Sequence, residues 1–315
     1  MASPTVSVIV PAFNAASFLP RALRSVAQQT MRDFEVIVVD DASSDDTVEV
    51  ARKYGEELGV CLRVLALDTN SGPAVARNAG VATAKGEFVS FLDADDVWMP
   101  GKLSRQVEIM RDDNRVTLCG CNAYWVDTNG AQVALLFEGL APRQPNGWKI
   151  LLWHSYVATP CAMARREDLG IAPFNPRLKI AEDRDLWIRL ATNGVVGLVP
   201  DPLVNIELRS TSYMARNANL IATVTADMLR GHMRSNADAL SVLDHIRAER
   251  VLARQIGKQL CSADRYWRGT GYLIKSTLMG GDPFDNFRHM LLTAPIIRDM
   301  KKYFRSKNSA GVRGG

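Results

Sequence analysis

Apolar runs too short for helices recur down the first hundred residues, and each breaks off into polar sequence with helical spacing. Val6-Ser7-Val8-Ile9-Val10 is β-branched and stopped by Pro11; Phe34 to Val39 ends at Asp40 and Asp41. Val60 to Leu67 follows, and Phe88-Val89-Ser90-Phe91-Leu92 ends at Asp93-Ala94-Asp95-Asp96. Between them Leu19, Leu23 and Val26 share one helical face, and Ser43, Ser44 and Asp45 offer caps ahead of Val48, Ala51 and Tyr54. Gly72-Pro73 opens a third helix, with proline suited to its first turn. Continuous apolar strands alternating with helices read as βαβ units, hence as a mostly parallel α/β sheet covered by helices on both faces.

Ligands of such sheets bind outside the carboxyl ends of the strands. Pro11-Ala12-Phe13-Asn14, Asp40-Asp41 and Asp93-Ala94-Asp95-Asp96 are therefore expected to converge on one crevice. Three carboxylates within four positions suit a hard divalent cation, Mn²⁺ or Mg²⁺, which shares its shell between carboxylates, water and substrate phosphates. Acids in this position also cap turns and helices. No Gly-x-Gly-x-x-Gly or Walker lysine pattern follows the first strand, which counts against a dinucleotide or ATP cradle. A diphosphate beside so many carboxylates would be repelled unless a divalent cation lay between them.

After Pro100 the pattern changes. Leu103, Val107 and Met110 mark a helix, and Val116 to Val126 and Ala131 to Phe137 flank Asp127-Thr128-Asn129-Gly130, a hairpin signal. Residues 139–160 read as irregular, with a short apolar turn around Trp148 to Trp153. Ala181 to Leu190 reads as a helix with an acidic start, closed by Asn193-Gly194; two short apolar segments follow, Val195 to Val199 and Leu203 to Leu208. Beyond Tyr213 the sequence reads as helical, which divides the chain into 1–212 and 213–315. The closing stretch interleaves Arg288, Arg298, Lys301, Lys302, Arg305, Lys307 and Arg313 with Met290, Leu291, Ile296, Ile297, Met300 and Phe304. It is either a basic amphipathic segment for an anionic membrane surface or a solvated terminal helix with a Ser-Ala-Gly-rich tail.

Composition narrows the classes further. A chain of 315 residues, 47% of them hydrophobic, can bury a sizeable core, and a net charge of +4 carries no nucleic-acid footprint. No membrane-length apolar run or signal-peptide pattern is present, and the five cysteines lack zinc-site spacing. These features point to a reduced, cytoplasmic protein, with attachment at the inner face of the cytoplasmic membrane as a further expectation.

Five motifs in order then carry a resemblance: Val6 to Asn14; Val38-Val39-Asp40-Asp41-Ala42-Ser43-Ser44-Asp45-Asp46-Thr47; Asn70-Ser71-Gly72-Pro73 with Ala76-Arg77-Asn78-Ala79-Gly80; Leu92-Asp93-Ala94-Asp95-Asp96; and Glu182-Asp183-Arg184-Asp185-Leu186-Trp187. Over about residues 5–209 the chain resembles the family 2 glycosyltransferases of the GT-A fold. The resemblance implies inverting transfer of a sugar from a nucleoside diphosphate donor to a glycan or lipid-linked acceptor, as in bacterial exopolysaccharide or surface-glycan synthesis.

It also assigns roles. Asp41 suits the N–H of a uracil edge, hence a UDP-sugar, with Asp40 second or structural. Pro11, Ala12, Phe13 and Asn14 flank base and ribose, and Asn70 and Gly72 border the same donor. Arg77 either reaches the base or diphosphate or pairs with a nearby carboxylate. Asp95 is the leading metal ligand, with Asp96 second and Asp93 turned toward sugar or ribose. Asp183, beside Glu182, is the expected general base, against a plain helix cap. Trp98 and Trp187 form a sugar platform or lie in the core. Where many relatives carry a histidine, this chain has Glu207-Leu208-Arg209-Ser210-Thr211-Ser212; Arg209 can take over part of the phosphate contact. The rivals are a catalytically silent sugar-nucleotide binder within a glycan assembly complex and a nucleotidyltransferase, which would need a Gly-rich basic loop after the first strand.

Overall fold

The computed structural model describes residues 3–208, 218–262 and 266–293. The chain divides into two compact units, Met1–Ser212 and Tyr213–Gly315. In the first, strand β1 (Val6–Ala12) is followed by α1 (Leu19–Ala27), β2 (Phe34–Asp40), α2 (Thr47–Leu58), β3 (Leu62–Ala66), α3 (Pro73–Thr83) and β4 (Phe88–Phe91). These four strands lie parallel in the order β3-β2-β1-β4. Every residue of β2 is buried, as a strand covered on both faces requires. Helix α3 packs on β1 and β2 so closely that a Cβ at Gly80 would sit 2.5 Å from Ile9 Cγ2. The glycine of the Arg-Asn-Ala-Gly run is therefore a packing requirement.

The sheet continues through β9 (Met163–Arg165), β6 (Val116–Val126), β10 (Val195–Glu207) and β5 (Val97–Trp98). β9 runs antiparallel to both β4 and β6 and stitches the two halves together. The expected hairpin is present: β7 (Gln132–Leu135) pairs with β6, and Gly130 turns at φ 82°. Asp127 holds that turn by accepting the Asn129 and Ala131 N–H groups. Helix α4 (Lys102–Asp112) packs against β6 and β10. The strand β8 (Arg143–Gln144) and helices α5 (Gly147–Leu151) and α6 (Arg166–Leu169) give form to segments that carry little periodicity.

Two expectations change. The third strand is shorter than Val60 to Leu67, because Gly59 at φ 61° ends α2 and the chain extends only from Leu62. The two segments after Gly194 are one strand, β10, with register shifts around Pro202. A bulge lets the strand pass a proline that cannot donate to the ladder.

In the second unit the described residues form helices Ala218–Ser235, Val242–Ser262, Tyr266–Leu278 and Pro283–Thr293, with a short 3₁₀ turn, Ala237–Ala239, between the first two. Glu249 pairs with Arg230 and Lys275, and Asp285 with Arg254 and Lys258. No helix among the described residues is long and apolar enough to cross a membrane. Arg209 and the basic run of residues 294–315 lie outside the described residues.

Candidate active site

The ends of β1 and β2 meet directly, the Asp41 N–H donating to the Ala12 carbonyl at 2.8 Å. Asp41 is buried, and its carboxylate accepts the Ser71 and Gly72 N–H groups, each at 2.8 Å. It thereby fixes the turn that starts α3, where Gly72 sits at φ 90°. Each oxygen keeps a second lone pair for a ligand. Asp40 accepts the Ser43 N–H at 3.1 Å through Oδ2, while its buried Oδ1 has no hydrogen-bond partner. Asn14 is left-handed at φ 48° and bonds across to Ser43 and Ser44. Pro11 is half-buried, Ala12 buried, and Phe13 and Asn70 exposed. Among the described residues only Asn14, Ala42 and Ala181 are non-glycines at positive φ, and each stands at the mouth of a site-facing segment. Such strain costs about 1–3 kcal/mol per residue and gathers where function over-determines the backbone.

The centre of the arrangement is Arg77. Its guanidinium, buried in the protein, donates from Nη2 to Asp93 Oδ1 at 2.9 Å and from Nη1 to Glu182 Oε1 at 2.7 Å. The Phe174 ring lies 5.5 Å from its Cζ, and the adjacent Asn78 ties down the Phe174 backbone through two bonds. Burial works against the Arg77 charge, but Asp93 and Glu182 outweigh it and raise its affinity for the proton. Burial and the neighbouring Asp183 push the Glu182 carboxyl up, with Arg77 pulling the other way. Of the two expectations for Arg77, the carboxylate partnership is the one present, and it is made twice. The pair bridges residues 105 positions apart and brings the start of helix α7 (Glu182–Thr192) to the end of β4.

Asp183, next to Glu182, is half-buried. It accepts the Thr159 hydroxyl at 2.8 Å through Oδ2 and the Arg184 N–H at 2.7 Å through Oδ1. Asp183 is not the cap: the N-cap position is Ala181, which makes no side-chain cap bond, and Asp183 sits inside the first turn with Thr159 from another segment orienting its carboxylate.

A second clamp grips the acidic loop. Arg21 of α1 donates to the Asp95 carbonyl at 2.8 Å and to Glu207 Oε2 at 2.5 Å, and the Glu207 N–H donates to Asp96 Oδ1 at 3.2 Å. Nothing in the sequence marks this clamp, because an arginine in a helix and a glutamate at a strand end look like ordinary surface residues.

The donor set fits a Mg²⁺ or Mn²⁺ that completes its shell with substrate phosphates. Asp93 and Asp95 are partly exposed hard-oxygen donors on one turn. No group of three or more metal-binding side chains occurs among the described residues. Asp96, the second metal candidate, is 4% exposed and accepts the Glu207 N–H of β10, so it anchors the loop, whereas Asp93 and Asp95 are the partly exposed acids.

Trp98 and Trp187 are corrections. Trp98 is 2% exposed and donates its ring N–H to the Pro160 carbonyl at 2.8 Å; Trp187 is fully buried against Phe91 and Phe174. Neither ring has a face for a sugar. Behind the site lies Lys102, fully buried, donating to Ser90 Oγ and Gln106 Oε1 with the Trp98 ring 3.9 Å away. Burial pushes its ammonium down to about 8.

A parallel βαβ half joined through an antiparallel strand to a mixed half, with acidic strand ends gathered beside a late acidic helix start, defines the GT-A class of glycosyltransferases. The chain belongs to that class and to glycosyl transferase family 2, whose model matches residues 7–170. The putative teichuronic acid biosynthesis glycosyltransferase TuaG of Bacillus subtilis is 41% identical over 218 residues, 67% of this chain and 84% of its own length. The chain spans about a third of the length of several other curated relatives. Among solved structures, S. aureus TarS 1-349 in complex with UDP-GlcNAc matches with TM-score 0.58 and 23% identity, over 91% of this chain and 90% of that one. The mannosyltransferase PcManGT from Pyrobaculum calidifontis, in complex with GDP-Man and Mn²⁺, matches with TM-score 0.61 and 21% identity, over 99% of this chain and 87% of that one. These two likenesses concern the fold.

Proposed function

We propose that the chain is an inverting, divalent-metal-dependent glycosyltransferase that moves a sugar from a UDP-sugar to a cell-surface glycan or its lipid-linked precursor. The observation that carries this reading is the Asp93–Arg77–Glu182 bridge, which sets the donor-side acid beside the partly open Asp183. Asp41 and the orphaned Asp40 oxygen offer acceptors for a base N–H at the strand end. Pro11, Ala12, Phe13, Asn14, Asn70 and Gly72 border the nucleoside, and Asp93 and Asp95 hold the cation. When bound, that cation neutralises charge on the departing nucleoside diphosphate.

Asp183, oriented by Thr159, takes the proton of the acceptor hydroxyl as that oxygen bonds to the anomeric carbon. The bond from that carbon to the donor phosphate oxygen breaks on the opposite face, which inverts the centre. Proton removal of this kind contributes a factor of about 10²–10⁴ in rate. The relative named for teichuronic acid biosynthesis supports a surface-glycan acceptor, and the UDP-GlcNAc and GDP-Man complexes of the fold neighbours support a sugar-nucleotide donor. A lipid-linked acceptor fits work at the inner face of the cytoplasmic membrane, held peripherally by anionic lipid.

The test is nucleoside diphosphate release from a panel of UDP- and GDP-sugars, with Mn²⁺, Mg²⁺ or a chelator. Release from one UDP-sugar that stops with the chelator is expected. Turnover of a GDP-sugar alone would overturn the UDP assignment, and release indifferent to the chelator would overturn metal dependence. The anomeric configuration of the product, read by NMR, decides inversion.

A further inference from the structure

Helices Tyr266–Leu278 and Pro283–Thr293 each leave large apolar side chains exposed. On the first, Gly269, Leu273 and Ser276 are buried, while Trp267 is 80%, Ile274 51% and Leu278 82% exposed. On the second, Asn286 is buried, while Phe284 is 84% and Phe287 61% exposed. Positions 267, 274 and 278 fall on one helical face, as do 284 and 287. Between the helices runs a groove of about 390 Å³ that includes Ile274, Leu278, Pro283, Phe284 and Phe287 in its lining. Apolar surface gathered this way in one place marks an interaction site, since a folded chain gains by burying such rings elsewhere.

Charge says what the site meets. Residues 213–315 hold 17 Lys or Arg against 8 Asp or Glu, whereas residues 1–212 hold 21 against 26. Near the groove the acids are engaged: Asp285 by Arg254 and Lys258, Glu249 by Arg230 and Lys275, and Asp282 by the Phe284 and Asp285 N–H groups. Exposed Arg268 and Arg288 adjoin Trp267 and Phe287 in the chain. Aromatic and aliphatic side chains flanked by cations suit the headgroup–acyl boundary of a negatively charged bilayer.

We propose that the outward face of these two helices inserts into an anionic membrane surface, with Trp267, Phe284 and Phe287 as its anchors. This deepens the peripheral attachment in the functional reading, on which it rests, and assigns the contact to residues 266–293 ahead of the terminal basic run.

The experiment is cosedimentation of the full chain with phosphatidylcholine vesicles with and without phosphatidylglycerol. Wild type should bind the phosphatidylglycerol vesicles, and the Phe284→Ser, Phe287→Ser double variant should bind about tenfold more weakly. Its donor-sugar turnover in vesicle-free buffer should be unchanged, so a failed attachment is told apart from a failed enzyme. Tryptophan emission should shift to the blue on vesicle binding, and Trp267→Phe should remove most of that shift while binding persists. This second readout stands even where the double variant folds poorly. Equal binding by the double variant, equal binding to pure phosphatidylcholine, or a blue shift undiminished in Trp267→Phe would each overturn the proposal. So would light scattering that shows the face buried in a dimer of this chain.

Discussion

Replacing Arg77 by methionine keeps the length of the stem and removes the charge that holds two acids together. The structure sets the size of the loss. Two charge-assisted hydrogen bonds, at 2.7 and 2.9 Å, disappear. Each is worth about 1.5–3 kcal/mol. Glu182 is left 8% exposed with no cation of comparable closeness, whereas the Asp93 side chain is 31% exposed and recovers part of its loss from water. Breaking a buried pair by removing one partner costs about 3–5 kcal/mol, and the solvated Asp93 side places Arg77→Met toward the lower figure.

The cost must also depend on pH. Burial already raises the Glu182 carboxyl against the pull of Arg77, and without Arg77 it rises further. A carboxyl whose folded pKa exceeds its unfolded value lets the folded state bind the extra proton, so its penalty is relieved as pH falls through that window. Urea unfolding followed by tryptophan emission should therefore show a larger loss for Arg77→Met near neutrality than near pH 5. A loss below about 1 kcal/mol, or one equal at both pH values, would refute the ion-bridge account. Arg77→Lys makes a geometric control: a single ammonium nitrogen lacks the planar fork whose two separate nitrogens reach Asp93 and Glu182, so donor turnover should fall even where stability is largely kept.

Asp183→Asn should lower transfer by a factor of about 10²–10⁴ and leave donor binding near normal; calorimetry and product release check the two halves, and undiminished transfer removes Asp183 as the base. Asp95→Ala should abolish the Mn²⁺-dependent part of UDP affinity, whereas Asp96→Asn should lower thermal stability more than metal response; the reverse pattern would return Asp96 to the metal. Lys102 carries a depressed pKa, so the unfolded chain binds more protons between about 8 and 10.5, and stability due to this group rises with pH across that window. The buried-charge penalty, on the order of 3 kcal/mol, is fully present below the folded value. In Lys102→Met that rise should vanish, and parallel stability–pH curves for wild type and variant would contradict it.

Much of the site is written locally. Asp41, Asp93, Asp95 and Asp183 stand out because carboxylates ending an apolar strand, or opening a helix, are placed by rules that act within a few residues. The same rules misjudge Trp98 and Trp187: an aromatic beside an acidic motif reads alike whether its ring faces a crevice or a core. The burial of Asp96 is equally illegible, since its engagement with the Glu207 N–H spans 111 positions. Arg21 and Glu207 carry no sequence signal, and Lys102 looks like any helix-opening lysine until Trp98, Ser90 and Gln106 enclose it.

The parallel βαβ half, the hairpin at Asp127–Gly130 and the five motifs follow from the sequence by itself, because hydrophobic period, turn chemistry and strand-end acids are short-range properties. Only the tertiary structure decides that Arg77 faces Asp93 and Glu182 instead of solvent, that Thr159 holds Asp183, and that β9 reverses direction to join the sheet halves. Each of these joins residues far apart in the chain. Their partners are selected by which side chains can share one buried volume with their charges and hydrogen bonds satisfied, a condition that exists only once the sheet has formed.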